Sequence, residues 1–204
     1  LIIRNGRVVD VYSGEILRAD VAIRDGRILH VGDFSTEGVA SESIYDADGD
    51  YLIPGFFDGH AHMDLFYNPF AYARCVLPRG TTCIFNDGHD LAAAVGVDAF
   101  LDIVAGLQHG PMTIKSGAPA ATPPYPEVEG EDLWSMADFS KAMACEDILS
   151  VSETVAYLRV VHRDPNLLER FALARLKGKL IEGHTTGANW DRLNALAYGG
   201  VLSC

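Results

Sequence analysis

The stretch Tyr51-Leu-Ile-Pro-Gly-Phe-Phe-Asp-Gly-His-Ala-His-Met-Asp64 decides how the rest of the chain is read. An apolar run leads into two histidines spaced by one residue, with carboxylates close on both sides. Side chains of a β-strand alternate between faces, so a strand here aims His60 and His62 the same way. Two neutral imidazoles on one face at a strand end make a ready site for a borderline divalent metal. Pro54-Gly55 bends the chain at the strand's entry, and Asp58 stands close enough to orient one ring. The competing reading is two unrelated loop histidines, and the flanking sequence has to arbitrate.

Downstream, short apolar strands alternate with amphipathic helices. Leu52–Phe57 reads as the first strand, followed by a helix that Asn68 caps, with Pro69 in its first turn and Gly80 beyond its end. Thr81–Phe85, Met112–Lys115, Ile148–Val151, Lys179–Ile181 and Val201-Leu202 read as further strands. Between them, helical spacing runs through Phe100, Ile103, Val104 and Leu107, through 138–145, from Asp164-Pro165 to Gly178, and over 191–198. A proline-rich loop spans Pro119 to Pro126. Upstream, Leu1-Ile-Ile, Arg7–Tyr12, Asp20–Ile23 and Arg27–Val31 are β-rich runs punctuated by Asn5-Gly6, Ser13-Gly14 and Asp25-Gly26, of which the first and last favour two-residue hairpin turns. The expected organisation is residues 1–50 as the N-terminal part of a β-sandwich domain and 51–204 as the first strands and helices of a barrel.

Regular strand–helix alternation implies a parallel sheet with right-handed crossovers, either doubly wound or a (β/α)8 barrel. No Gly-x-Gly-x-x-Gly follows a strand, which argues against the nucleotide-binding open sheet. The strand ends carry a set of metal-type ligands instead, and barrels gather functional groups at the C-terminal ends of their strands. The fold class is therefore α/β, a partial (β/α)8 barrel of the TIM type preceded by a β-rich segment.

Reading past successive strands gives His60 and His62, then Asn86-Asp87-Gly88-His89-Asp90, then Lys115 and Ser116, then Ser152 and Glu153, then His184. Of seven histidines, these four fall at strand ends. His30 reads as a partly buried sheet histidine, and His109 and His162 as solvated positions. Two-metal hydrolysis wants this set: a carboxylate between cations about 3.5–4 Å apart offsets their repulsion, and the pKa of coordinated water falls toward ~7. Glu153 is the natural bridge, with His60 and His62 on one metal and His184 on the other. Lys115, as a carbamate, is the weaker candidate for the bridge.

Composition sets the outer limits. Over 204 residues, 49% are hydrophobic and 22% charged, enough to bury a core. A net charge of −12 disfavours nucleic acid and anionic membrane surfaces as partners. No apolar run reaches the ~20 residues that span a bilayer. The four cysteines form no C-x-x-C pair, so reduced thiols in a cytoplasmic protein are expected. The chain opens on Leu1 and closes on Gly199–Cys204, which reads as a strand just begun, so a longer chain is expected to complete the barrel.

Gly55-Phe-Phe-Asp-Gly-His-Ala-His62, preceded by Asp46-Ala-Asp-Gly-Asp-Tyr-Leu-Ile-Pro54, resembles the amidohydrolase superfamily of metal-dependent hydrolases. Within it, Val76–Thr82, Asp87–Asp90, Pro119–Pro123, Ser152-Glu153 and Glu182-Gly-His-Thr-Thr-Gly187 are similar to the adenine deaminase branch. The resemblance implies a barrel carrying a β-sandwich built from both chain ends. It makes His60, His62, Glu153 and His184 metal ligands, and puts Asp87 and His89 in the pocket lining. The expected catalytic groups are Glu153, His89 and Asp87, with His89 or a metal polarising the accepting atom. Two divalent metals are expected, manganese or iron first and zinc next, with a small nitrogen heterocycle as substrate and a homo-oligomeric state. Adenine deaminases usually follow the paired histidines with Ile-Glu-Ser-Ser, where this chain has Met63-Asp64-Leu65-Phe66. The substrate is thus open between adenine and a hydantoin-like or thiohydantoin-like ring, and a non-catalytic scaffold is the reading from another class. The family's proton-shuttling aspartate and last metal histidine are expected beyond Cys204, so the segment alone is expected to be inactive.

Overall fold

A computed structural model describes residues 1–125 and 134–203, and the chain divides into two compact units, Leu1–Gly55 and Phe56–Cys204. The end of the proline-rich loop at Pro126 and the terminal Cys204 lie outside the described residues.

The first unit is a mixed sheet of β1 (Ile2–Val9), β2 (Ile16–Arg24), β3 (Arg27–Gly32), β4 (Ile44–Asp46) and β5 (Tyr51–Leu52). Its order is β3-β2-β1-β4, with β5 also pairing β1; β4 and β5 run parallel to β1 and the hairpin pairs are antiparallel. Asp25-Gly26 forms the expected tight turn, with φ of 51° and 70°. Asn5-Gly6 does not turn the chain. Asn5 adopts φ 57° inside β1, its N–H donates to Asp20 Oδ1 at 3.0 Å, and the register with β2 shifts between Ile3 and Gly6. This is a bulge, and Leu52 packs so closely on the glycine that follows that a Cβ at Gly6 would lie 2.5 Å from Leu52 Cδ1 and force that side chain to shift. His30 is exposed and turned to Asp33 O at 3.2 Å, not partly buried.

Pro54, with its fixed φ and no N–H, breaks the expected Leu52–Phe57 strand in two. Tyr51–Leu52 pairs with β1, and a new strand, β6 (Phe56–Ala61), begins the second unit. There follow α1 (Pro69–Val76), β7 (Thr81–Asn86), α2 (His89–Leu107), β8 (Thr113–Ala118), α3 (Met136–Met143), β9 (Ile148–Thr154), α4 (Tyr157–Val161), α5 (Pro165–Leu176), β10 (Leu180–Gly183) and α6 (Trp190–Gly199). The sheet order β10-β9-β8-β7-β6 is sequential and every pairing is parallel, the front of a TIM-type barrel. Val201–Ser203 runs beside β10 through Leu202 N–H to Ile181 O and Gly183 N–H to Ser203 O, but forms only a single bridge rather than the expected sixth strand.

Local signals explain the helix ends. Asn68 Oδ1 accepts from Ala71 N–H at 2.9 Å ahead of Pro69, and Asp164 Oδ1 caps α5 ahead of Pro165. Strand residues Ile148, Val151 and Ile181 pack with Phe100, Val104, Phe139, Leu167 and Phe171 from the helices. Each such fully buried side chain contributes roughly 1.5–3 kcal/mol. Arg170 is buried among them and donates to Ala120 O at 2.7 Å and to Trp134 O, which anchors both ends of the loop after β8.

Candidate active site

The strand ends of the second unit deliver the site. His60 is the penultimate residue of β6, His62 follows one residue after its end, Asp87 follows β7, Glu153 is the penultimate residue of β9, and His184 follows β10. Glu153 sits among the imidazoles: its carboxylate lies 3.6 Å from His60 Nε2, 3.6 Å from His62 Nε2 and 2.9 Å from His184 Nδ1. Its side chain is 12% exposed against 29–40% for the three rings, so the carboxylate forms the floor and the rings the wall. Above them opens a cavity of about 530 Å³, bordered by His60, Glu153, Glu182, His184 and Thr186. A second hole, behind His89 and Glu153, is only about 10 Å³, the space of one water.

Asp87 is fully buried and ties the strand ends together. Its N–H donates to Ala61 O at 2.8 Å, its carbonyl accepts from Ser152 Oγ at 2.6 Å, and its Oδ2 accepts from Glu153 N–H at 2.6 Å. Its Oδ1 holds the Nδ1 of His89, the first residue of α2. Gly88, between them, turns the chain with φ 74°, and a Cβ there would press on Phe100 at 3.1 Å and Gly117 O at 3.3 Å. Burial pushes the Asp87 carboxyl up, but hydrogen bonds from His89 and from Glu153 N–H outweigh it and hold the group below its usual range. Burial likewise pushes His89 down, and Asp87 outweighs it, leaving the imidazole above its ordinary value. Burial raises Glu182, against hydrogen bonds from Ser150 and His60.

The geometry fits a divalent metal. The Nε2 atoms of His60 and His62 face each other at 3.2 Å. Two ligands of one tetrahedral ion with bonds of about 2.0–2.1 Å stand roughly 3.3 Å apart. Ligand atoms of His62, Asp87, His89 and Glu153 lie within 4.8 Å of one another, as do those of His60, Asp87 and Glu182. Asp87 is spent on His89 and Glu153 N–H, which favours its serving as a brace between these groups.

Two expectations fail. Asp58 does not orient a ring; its Oδ1 accepts the backbone N–H of His60 at 3.3 Å. The ring is held by Glu182 Oε2, 3.2 Å from His60 Nδ1. Lys115 is no strand-end residue: it lies mid-way along β8 and pairs with Asp147, just before β9 begins, so it is not placed to bridge metals. Glu182 was overlooked by sequence reasoning, although the period-two argument used for His60 and His62 applies equally to Glu182 and His184.

No family model matches the chain. An adenine deaminase of Bacillus subtilis (strain 168) is 31% identical over 204 residues, which is 100% of this chain and 34% of that protein. An adenine deaminase of Moorella thermoacetica is 34% identical over 206 residues, 100% of this chain and 35% of that protein. The chain resembles the adenine deaminases of the amidohydrolase superfamily. It spans about a third of the length of these curated relatives. The fold is shared with an N-acyl-D-glutamate deacylase from Bordetella bronchiseptica, solved with zinc and a phosphonate inhibitor. That structure matches with a TM-score of 0.70 at 18% identity, over 99% of this chain and 50% of that one. Among the described residues no helix is long and apolar enough to cross a membrane.

Proposed function

We propose that the full-length protein is a metal-dependent hydrolase of a C–N bond in a small nitrogen heterocycle, with adenine the first candidate: adenine and water to hypoxanthine and ammonia. The observation that carries this reading is Glu153, at the end of β9, lying within 3.6 Å of imidazole nitrogens from His60 and His62 at the end of β6 and His184 at the end of β10. Whole-chain similarity to adenine deaminases supports it. His60, His62, Glu153 and His184 would hold two divalent cations, manganese or iron first and zinc next. Bound cations of this kind supply Lewis acidity and lower the pKa of water, which makes a nucleophile available at neutral pH.

The chain's own groups do the rest. Glu153 provides the negative charge among the imidazoles, and Asp87 fixes its backbone N–H. Thr186 Oγ1, 3.3 Å from Nε2, orients the His184 ring so that Nδ1 faces Glu153, and Nδ1 is the nitrogen the ring would offer to a cation beside that carboxylate. The Nδ1–H of His89 is held by Asp87, which also raises the imidazole above its ordinary value, so in its imidazolium form the ring donates from Nε2 to the atom that gains negative charge. The reading carries with it a cytoplasmic setting, a homo-oligomer and a barrel closed by the remainder of a full-length chain.

A ring-opening hydrolase of the hydantoin or thiohydantoin type is the second reading. It is kept because Leu65 and Phe66, both exposed, stand where adenine deaminases usually carry serines, so the substrate need not be adenine. Manganese-loaded full-length protein separates the two: ammonia from adenine supports the first, and a ring-opened acid from a hydantoin supports the second. Absence of both, with well under one metal per protomer, points to a non-catalytic scaffold. Glu153→Gln should lose metal and rate together; full occupancy at full rate would remove Glu153 from the bridge.

A further inference from the structure

We propose that Glu182, anchored by Ser150, is the positioning residue that fixes the tautomer and direction of the His60 ring. The proposal rests on the metal reading above and adds a residue to it. The two carboxylate oxygens of Glu182 are divided between partners: Oε1 accepts from Ser150 Oγ at 2.5 Å and Oε2 faces His60 Nδ1 at 3.2 Å. Ser150 is fully buried on β9, opposite Leu180 of β10, so the anchor is part of the sheet itself. A neutral imidazole has one N–H, and a carboxylate only accepts. His60 therefore places its proton on Nδ1, and its Nε2 lone pair points toward His62 Nε2 at 3.2 Å and Glu153 Oε2 at 3.6 Å.

His60 and Glu182 are 122 residues apart and stand on the two edge strands of the sheet. Their contact spans the interior of the curled sheet, and it forms only because the sheet bends far enough to bring its edge residues face to face. Asp58, the nearer carboxylate in sequence, is taken up by the His60 backbone and leaves the ring to Glu182. The pair is crossed with a second one: His184, two residues beyond Glu182, turns its own Nδ1 to Glu153.

The test uses full-length protein carrying 15N-labelled histidine, with the His60 ring signals assigned by their loss in His60→Gln. In the metal-free wild type, long-range 15N–1H correlations should show His60 protonated on Nδ1. In Glu182→Leu the proton should redistribute toward Nε2, and affinity for zinc alone, measured against a chromophoric chelator, should fall about 10–100-fold. Glu182→Gln, whose amide oxygen still accepts the Nδ1 proton, should recover the tautomer and most of the affinity. A merely structural role predicts no such rescue. Wild-type tautomer and zinc affinity in Glu182→Leu would overturn the proposal. If that variant does not fold, Ser150→Ala decides: weaker zinc binding supports the anchor, and unchanged binding with an unchanged tautomer overturns it. A wild type that takes up no zinc would sink the metal reading, while the tautomer comparison still judges Glu182.

Discussion

Substituting Gly117 tests the site by steric means alone. The residue lies in β8 without a positive φ, so alanine is conformationally permitted there. A Cβ at this position would lie 2.9 Å from Ser152 Oγ and 3.0 Å from both Asp87 O and Ser152 Cα. Carbon contacts are comfortable at about 3.5–4.0 Å, so the methyl group must displace the ends of β7 and β9 by about half an ångström. Those ends carry Asp87 and Glu153, and the Ser152–Asp87 hydrogen bond lies directly in the path. Overpacking of this kind costs about 1–3 kcal/mol. Gly106 in α2 is the control, because a Cβ there meets nothing within 4 Å. Gly106→Ala should stabilise by about 0.4–1 kcal/mol through reduced freedom of the unfolded chain. Urea denaturation reads both: the midpoint should fall for Gly117→Ala and rise for Gly106→Ala with little change in slope. Elemental analysis of the same samples should show metal lost from the first variant only. An unchanged midpoint and full metal content in Gly117→Ala would refute the close approach of the three strand ends as the source of the site's geometry.

His62→Ala should lower metal content and rate together, by elemental analysis and turnover on the same preparation, since one ring serves both. Arg170→Met should destabilise by about 3 kcal/mol or more, because two buried carbonyls lose charge-assisted donors; a melting temperature equal to the parent's would contradict this. Asp164 gives a pH signature. Burial pushes its carboxyl up, but Arg159 and the N–H groups of Leu167 and Asn166 outweigh that and hold it below the usual range. The unfolded chain therefore binds this proton more readily, so the contribution is complete above the unfolded value of about 4 and is lost as pH falls through the lowered folded value. Asp164→Asn should flatten the acid limb of the stability profile, and an unaltered limb would count against the Arg159 pair.

Much of the fold was legible locally. The Asp25-Gly26 turn, the Asn68 and Asp164 caps and the strand–helix alternation each follow from dihedral preferences and side-chain periodicity acting over a few residues. The placement of His60, His62, Glu153 and His184 at strand ends was legible as well, because a barrel gathers its functional groups there. Where several local outcomes satisfy the same residues, the sequence alone could not choose. Asn5-Gly6 suits a turn or a bulge equally, and Leu52 packing over Gly6 selected the bulge. Lys115 looked like a strand-end group until the register of β8 with β9 set it beside Asp147.

The amino-acid order by itself determined that His60, His62, Glu153 and His184 stand at or just past strand ends, and that the two histidines spaced by one residue at the end of β6 point the same way, because side chains alternate with the backbone period. Tertiary structure alone decided that Glu182 rather than Asp58 meets the His60 ring, and that Glu153 lies among three imidazoles. Such contacts depend on how far a parallel sheet curls, and that curvature is set jointly by all its strands and the helices packed on them.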